Sequence, residues 1–185
     1  MKSVVVLLLF IGASCGCDSA RPPSPPAAAA QTAFETSADN SPVFVQLPPG
    51  WRSRRPTVAT VRQIADYPDL DAHFTLAIQA RAEFNDDLKT WAGVTQKATG
   101  EQTKLTNRTE TVLVETSVGK EPAVEYQITG DAAGVRGKSR VIMLRVGEWF
   151  CKVTCWTTPE NWDAAQPKFD EIIGQLRTRP ALSKE

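Results

Sequence analysis

The stretch WFCKVTCW, Trp149 to Trp156, decides how the chain is read. In an extended strand its side chains alternate, so Trp149, Cys151, Val153 and Cys155 face one way and Phe150, Lys152, Thr154 and Trp156 face the other. Both faces are partly apolar, which predicts a central strand with a helix packed on each side of its sheet. The two cysteines are four positions apart and share a face, about 13 Å from each other at strand rise. A disulfide needs Cα atoms within about 7 Å, and a shared metal needs them closer than an extended strand allows. Two reduced, separately packed cysteines are therefore expected. Export favours a crosslink instead, but only a sharp bend at Val153 would permit one.

Working outward, KSRVIMLRV pairs with this strand through Gly147 and Glu148, a two-residue hairpin. TETVLVET and AVEYQITG read as strands joined around Gly119 and Lys120, with Val112 and Val114 on one face of the first and Val124, Tyr126 and Ile128 on one face of the second. AHFTLAIQAR, Ala72 to Arg81, alternates Phe74, Leu76 and Ile78 against smaller or polar residues. A helix follows, capped by Asn85, with Asp86 and Asp87 where the dipole favours acids, a stripe of Phe84, Leu88, Trp91, Ala92 and Thr95, and Gly100 as its end. Upstream, VFVQL (Val43 to Leu47) is a short strand closed by Pro48, Pro49 and Gly50. The last helix opens at Thr158 and Pro159 and buries Trp162, Ala165, Phe169, Ile172, Ile173 and Leu176; Pro167 predicts a kink or a break within it. These elements make an α+β domain over residues 42–180, an antiparallel sheet between helices, followed by a disordered tail at 181–185. Its length of about 140 residues suits one core.

The first 41 residues are of another kind. MKSVVVLLLFIGASCGC carries one cation, Lys2, and then an apolar run from Val4 to Ile11 that is far shorter than the roughly 20 residues of a membrane-spanning helix. Residues 1–14 read as an export signal. Gly12, Ala13 and Ser14 lead into Cys15 in a pattern that resembles the lipobox of bacterial lipoproteins, whose cysteine becomes acylated, although Gly12 stands where such boxes usually carry leucine. Cys17 is the alternative acylation site. Residues 15–41, including RPPSPPAAAAQTAFETSADNS, hold one large apolar group, Phe34, and cannot offset their ordering entropy by burial. They form a lipid-anchored tether, extended through the prolines and loose beyond them. The expected location is the cell envelope, membrane-anchored and facing the periplasm or exterior.

Charge excludes some classes of function. Lys plus Arg and Asp plus Glu number 21 each, so nothing in the overall balance calls for nucleic acid. Arg52, Arg54, Arg55 and Arg62 form a local basic cluster, a docking surface for a protein partner or else a solvated edge neutralised by the following DYPDLD. GDAAGVRGKS imitates a phosphate loop, but Ala132 stands where the first glycine belongs, and Lys138 and Ser139 lead into a strand where the motif needs a helix. No nucleotide and no cofactor are expected. His73, the only histidine, lies beside no nucleophile motif and reads as an edge or half-exposed strand residue. Asp66, Asp69 and Asp71 are grouped without the cross-cleft pairing that glycoside chemistry requires, and no metal-ligand spacing occurs. Asn107 to Thr109 is a glycosylation acceptor pattern with no use in a bacterial lipoprotein.

One resemblance draws the elements together. Leu47 to Trp51 (LPPGW), Gly119 to Ala123, the hairpin Gly147 to Phe150 and the helical stripe Phe169 to Leu176 resemble, in order and spacing, the superfamily of the photosystem II protein PsbP, a nuclear Ran-binding import factor and bacterial DcrB-like lipoproteins. The resemblance implies a six- or seven-stranded antiparallel sheet in an α/β/α sandwich, and a habit of binding other proteins without catalysis. The function expected is an exported, non-catalytic protein-interaction module; a small-ligand carrier or sensor is the alternative class, and an enzyme a further one.

Overall fold

A computed structural model describes residues 43–80, 87–102 and 105–178 of the chain. Strands β1 (Val43–Val45), β2 (Arg52–Arg54), β3 (Val61–Tyr67) and β4 (Ala72–Ala80) precede helix α1 (Leu88–Gln102). Then come β5 (Thr106–Glu110), β6 (Val114–Val118), β7 (Glu121–Ala132), β8 (Val135–Val146), β9 (Trp149–Thr157), helix α2 (Trp162–Gly174) and β10 (Leu176–Thr178). The main sheet has eight strands in the order β2-β3-β4-β9-β8-β7-β5, with β6 also pairing β7, and every pairing is antiparallel. β1 and β10 form a separate two-stranded ribbon.

The alternation expected of WFCKVTCW is realised at the centre of this sheet. Cys151, Val153 and Cys155 point into the larger core, where α2 contributes Trp162, Ala165, Phe169, Ile172 and Ile173. Phe150 points the other way and stacks on Trp91 of α1, ring centroids 4.6 Å apart and planes within 8°, beside Val124, Tyr126, Ile128, Val141 and Met143. The result is the α/β/α sandwich of the sequence reading, with one strand more than the seven of the resemblance. The ribbon is clasped to the sheet by Gln63, whose buried amide accepts from Val45 N–H (3.2 Å) and donates to Val45 C=O (3.1 Å). This replaces a missing ladder pair between β1 and β3.

Several local expectations are corrected. β2 and β3 were not foreseen. TETVLVET is not one strand: β5 and β6 follow one another along the same edge of β7, and Val112 and Val114 are 80% and 55% exposed. Helix α1 passes through Gly100 to Gln102. Its expected cap, Asn85, lies outside the described residues; Asp87 does the capping, its carboxylate accepting from Thr90 N–H at 2.8 Å, and that bond holds the Asp87 carboxyl below its ordinary range. Pro167 lies inside a single helix that continues to Gly174. A proline there leaves one early carbonyl without its helical partner, and the buried stripe on either side holds the helix together.

Cys151 and Cys155 are buried and free, and burial pushes the Cys151 thiol up to about 12. Both should resist iodoacetamide in the native protein, whereas denaturation without reductant should give two alkylated cysteines in the peptide that carries them. A peptide mass two hydrogen atoms light, with no alkylation, would show a crosslink and a bent β9.

Candidate functional site

Helix α1 lies chiefly over β7 and β8. On the same face, the half of the sheet built from β2, β3, β4 and β9 carries no described helix. Its side chains fall into rows set by the strand register. One row runs Ile64, Thr75, Thr154 and Val141; the next runs Asp66, His73, Trp156 and Ser139; a third holds Ala77, Lys152 and Met143. Directly opposed residues of an antiparallel pair share a face, so polar and aromatic groups lie side by side across four strands.

The row through His73 is the most structured. Arg54 on β2 places Nε 2.8 Å from Asp66 Oδ2, while Asp66 Oδ1 lies 2.7 Å from His73 Nδ1. His73 Nε2 lies 3.1 Å from Asp71 Oδ1. Asp71 is brought there by the turn Pro68–Leu70, after which it takes a left-handed backbone conformation (φ 44°). The imidazole then packs on the Trp156 indole at 4.8 Å, and that indole lies against Gly137, where a Cβ would collide with its Nε1. Carboxylates only accept hydrogen bonds, so both contacts become hydrogen bonds only in the doubly protonated ring.

The sequence-predicted residues divide clearly. Arg54, opposite Ile64 in the neighbouring row, reaches across to Asp66, whereas Arg52, directly opposite Asp66, and Arg55 and Arg62 are exposed and none pairs with an acid among the described residues. Arg62 occupies the register shift between Val61 and Gln63, so it stands outside the ladder. His73 is half-exposed as expected, but it is internal to the sheet, between β3 and β9. The grouping of Asp66 and Asp71 around it was missed; the available signal was the alternation of VRQIADY, which makes β3 and sets Asp66 opposite His73. Lys138 and Ser139, the end of the false phosphate loop, lie in β8. Among the described residues no group of three or more His, Cys, Asp or Glu is arranged to hold a metal ion, and no described helix is long and apolar enough to cross a membrane.

A groove of about 280 Å³ lies elsewhere, between the β6–β7 hairpin and the end of α2. At its floor Arg140 makes a two-pronged contact with Glu125 (2.9 Å each) and reaches Asp170 at 2.5 Å. Arg177 donates to the carbonyls of Gly174 and Leu176 and to Gln175. These donors are occupied within the protein, so the groove offers a small anion little.

No protein-family model matches the chain, and no curated protein matches it in sequence. Comparison with solved structures gives likenesses in fold. LpqN, involved in cell envelope biogenesis of Mycobacterium tuberculosis, superposes with a TM-score of 0.57 at 12% identity, covering 75% of this chain and 83% of that one. Cyanobacterial PsbP (CyanoP) from Synechocystis sp. PCC 6803 gives 0.54 at 12% identity, covering 75% and 87%. The chain has the PsbP-like fold. At such identities the likeness concerns architecture alone.

Lys152 supplies a stability test of the open half. Its residue keeps some surface, yet its ammonium is closely surrounded and has no acidic partner among the described residues, and burial lowers it from 10.5 to about 8. The unfolded chain therefore holds the extra proton between those values, so stability rises with pH through that window and the penalty is complete below it. Lys152→Met should stabilise the domain by about 1–3 kcal/mol at pH 7 in denaturant titrations, an advantage that shrinks toward pH 10. A destabilised Met variant would show that the ammonium is solvated and that the row is differently packed.

Proposed function

We propose that the chain is an exported, non-catalytic interaction module, acylated at Cys15 (Cys17 being the alternative) and carried on the tether of residues 15–41, which binds an envelope protein through the uncovered half of its sheet. The observation that carries this reading is the polar and aromatic surface on β2, β3, β4 and β9, with exposed Arg52 opposite Asp66 on it and exposed Arg55 and Arg62 close by in the chain, none with a described acidic partner. Aromatic and arginine side chains around a partly desolvated centre are what protein recognition uses. The unmatched cations call for a partner that presents Asp and Glu.

A catalytic reading fares worse on the same atoms. Both ring nitrogens of His73 face carboxylates, leaving neither to a substrate. The fold it shares with LpqN, a protein involved in cell envelope biogenesis, supports an envelope setting.

The test is recovery of the partner from membranes by the tethered protein. Arg52→Glu combined with Arg55→Glu should lower affinity at least about tenfold, and the difference from the parent should shrink as salt rises above 0.15 M, where charges are screened within about 8 Å. Unchanged binding by a folded double variant would place the partner on another surface.

A further inference from the structure

The edges of the sheet are treated unequally. β2 is three residues long, carries Arg52 and Arg54, and runs into Pro56. β5 is interrupted by a register shift between Thr106 and Thr109, and Asn107 inside it has a left-handed backbone (φ 48°). Short length, positive charge, proline and bulges are the devices by which edges avoid pairing with other chains. β6 has none of them. It holds β7 in unbroken register from Val114 opposite Glu125 to Val118 opposite Glu121, and no described strand pairs its other edge. That edge presents a regular row of backbone donors and acceptors. Two of the large apolar residues left exposed in the domain, Val112 and Val114, are at it or next to it.

We propose that β6 is a homotypic docking edge, pairing antiparallel with β6 of a second copy about a two-fold axis through Thr116. The sequence VETSV decides both occupant and register. With the axis on Thr116, that residue meets itself, Val114 meets Val118 of the second copy, and Glu115 meets Ser117. Threonine pairs and aliphatic pairs are favourable across antiparallel strands, and no like charges are opposed. Moving the axis to Glu115 sets the two carboxylates against each other, while moving it to Ser117 leaves Val114 outside the ladder. Glu115 is meanwhile held on its own chain by Lys89 at 3.0 Å. The pairing is isologous, so it closes at two copies and continues one sheet through both. The β6 edge lies at the opposite end of the sheet from β2, so the docking face proposed above stays open in the dimer.

Cysteine crosslinking of the full chain in its envelope reads the register directly, with the parent chain as background for its own cysteines. Directly opposed residues have Cα atoms about 4.5–5.5 Å apart, within disulfide reach, whereas Val114 of one copy is about 13 Å from Val114 of the other. Thr116→Cys should give a covalent homodimer. Val114→Cys alone should not, but Val114→Cys and Val118→Cys chains of different tag size should crosslink when expressed together. Adding Ser117→Glu, which opposes Glu115 of the second copy, should abolish the Thr116→Cys dimer, and Ser117→Lys should preserve it. Absence of the Thr116→Cys dimer overturns the proposal. So does equal crosslinking from Val114→Cys alone or from the exposed control Lys97→Cys, and so does a Thr116→Cys adduct to a different protein.

Discussion

The change of character along one face of β9 governs the rest of the structure. Toward the α2 side the strand is apolar from Trp149 to Cys155, with Cys151, Val153 and Cys155 fully buried. Toward the α1 side it begins with Phe150 under Trp91 and then turns to Lys152, Thr154 and Trp156. A helix can profitably cover the first part and has little apolar area to bury over the second. Hence α1 lies over β7 and β8, and the sheet from β9 to β2 is left with side chains that satisfy one another: Arg54 with Asp66, Asp66 and Asp71 with His73, His73 with Trp156.

Much of this could be read from residues alone, for a physical reason. Where burial imposes a period, the pattern is strong: Val124, Tyr126 and Ile128 on β7, the α2 stripe from Trp162 to Ile173 and the two faces of β9 lie where alternation or helical spacing puts them, whereas Leu176, expected on that stripe, begins β10. Where an element is at an edge, burial imposes less. Val112 and Val114 look like core residues in sequence and are exposed because they lie between β5 and β6 and at the start of β6, on the outermost described edge of the sheet. β2 and β3 went unread because Arg52, Arg54, Arg62 and Asp66 make an outer strand pair look like a charged loop. The His73 row was invisible for a related reason, since it depends on the register between β3 and β4, which local sequence does not state.

The two surfaces have different physical grounds. The half-face that carries no described helix offers arginines, an indole and a carboxylate-flanked imidazole, chemistry suited to an acidic protein partner. The β6 edge offers backbone groups in register and a self-complementary sequence, suited to a second copy. A dimer joined at β6 would present two half-faces at the far ends of one continuous sheet, giving a partner with repeated sites the benefit of effective concentration.

The central claim is that the uncovered half-face meets a protein partner. Site-specific photocrosslinking in intact cells addresses it most directly, with the photoreactive residue placed at Thr75, in the row beside Thr154, and for comparison at Asp163, exposed on α2. A discrete adduct to one protein from Thr75 and none from Asp163 is predicted. An adduct from Asp163 with none from Thr75 would contradict the account and move the binding surface to the outer side of α2.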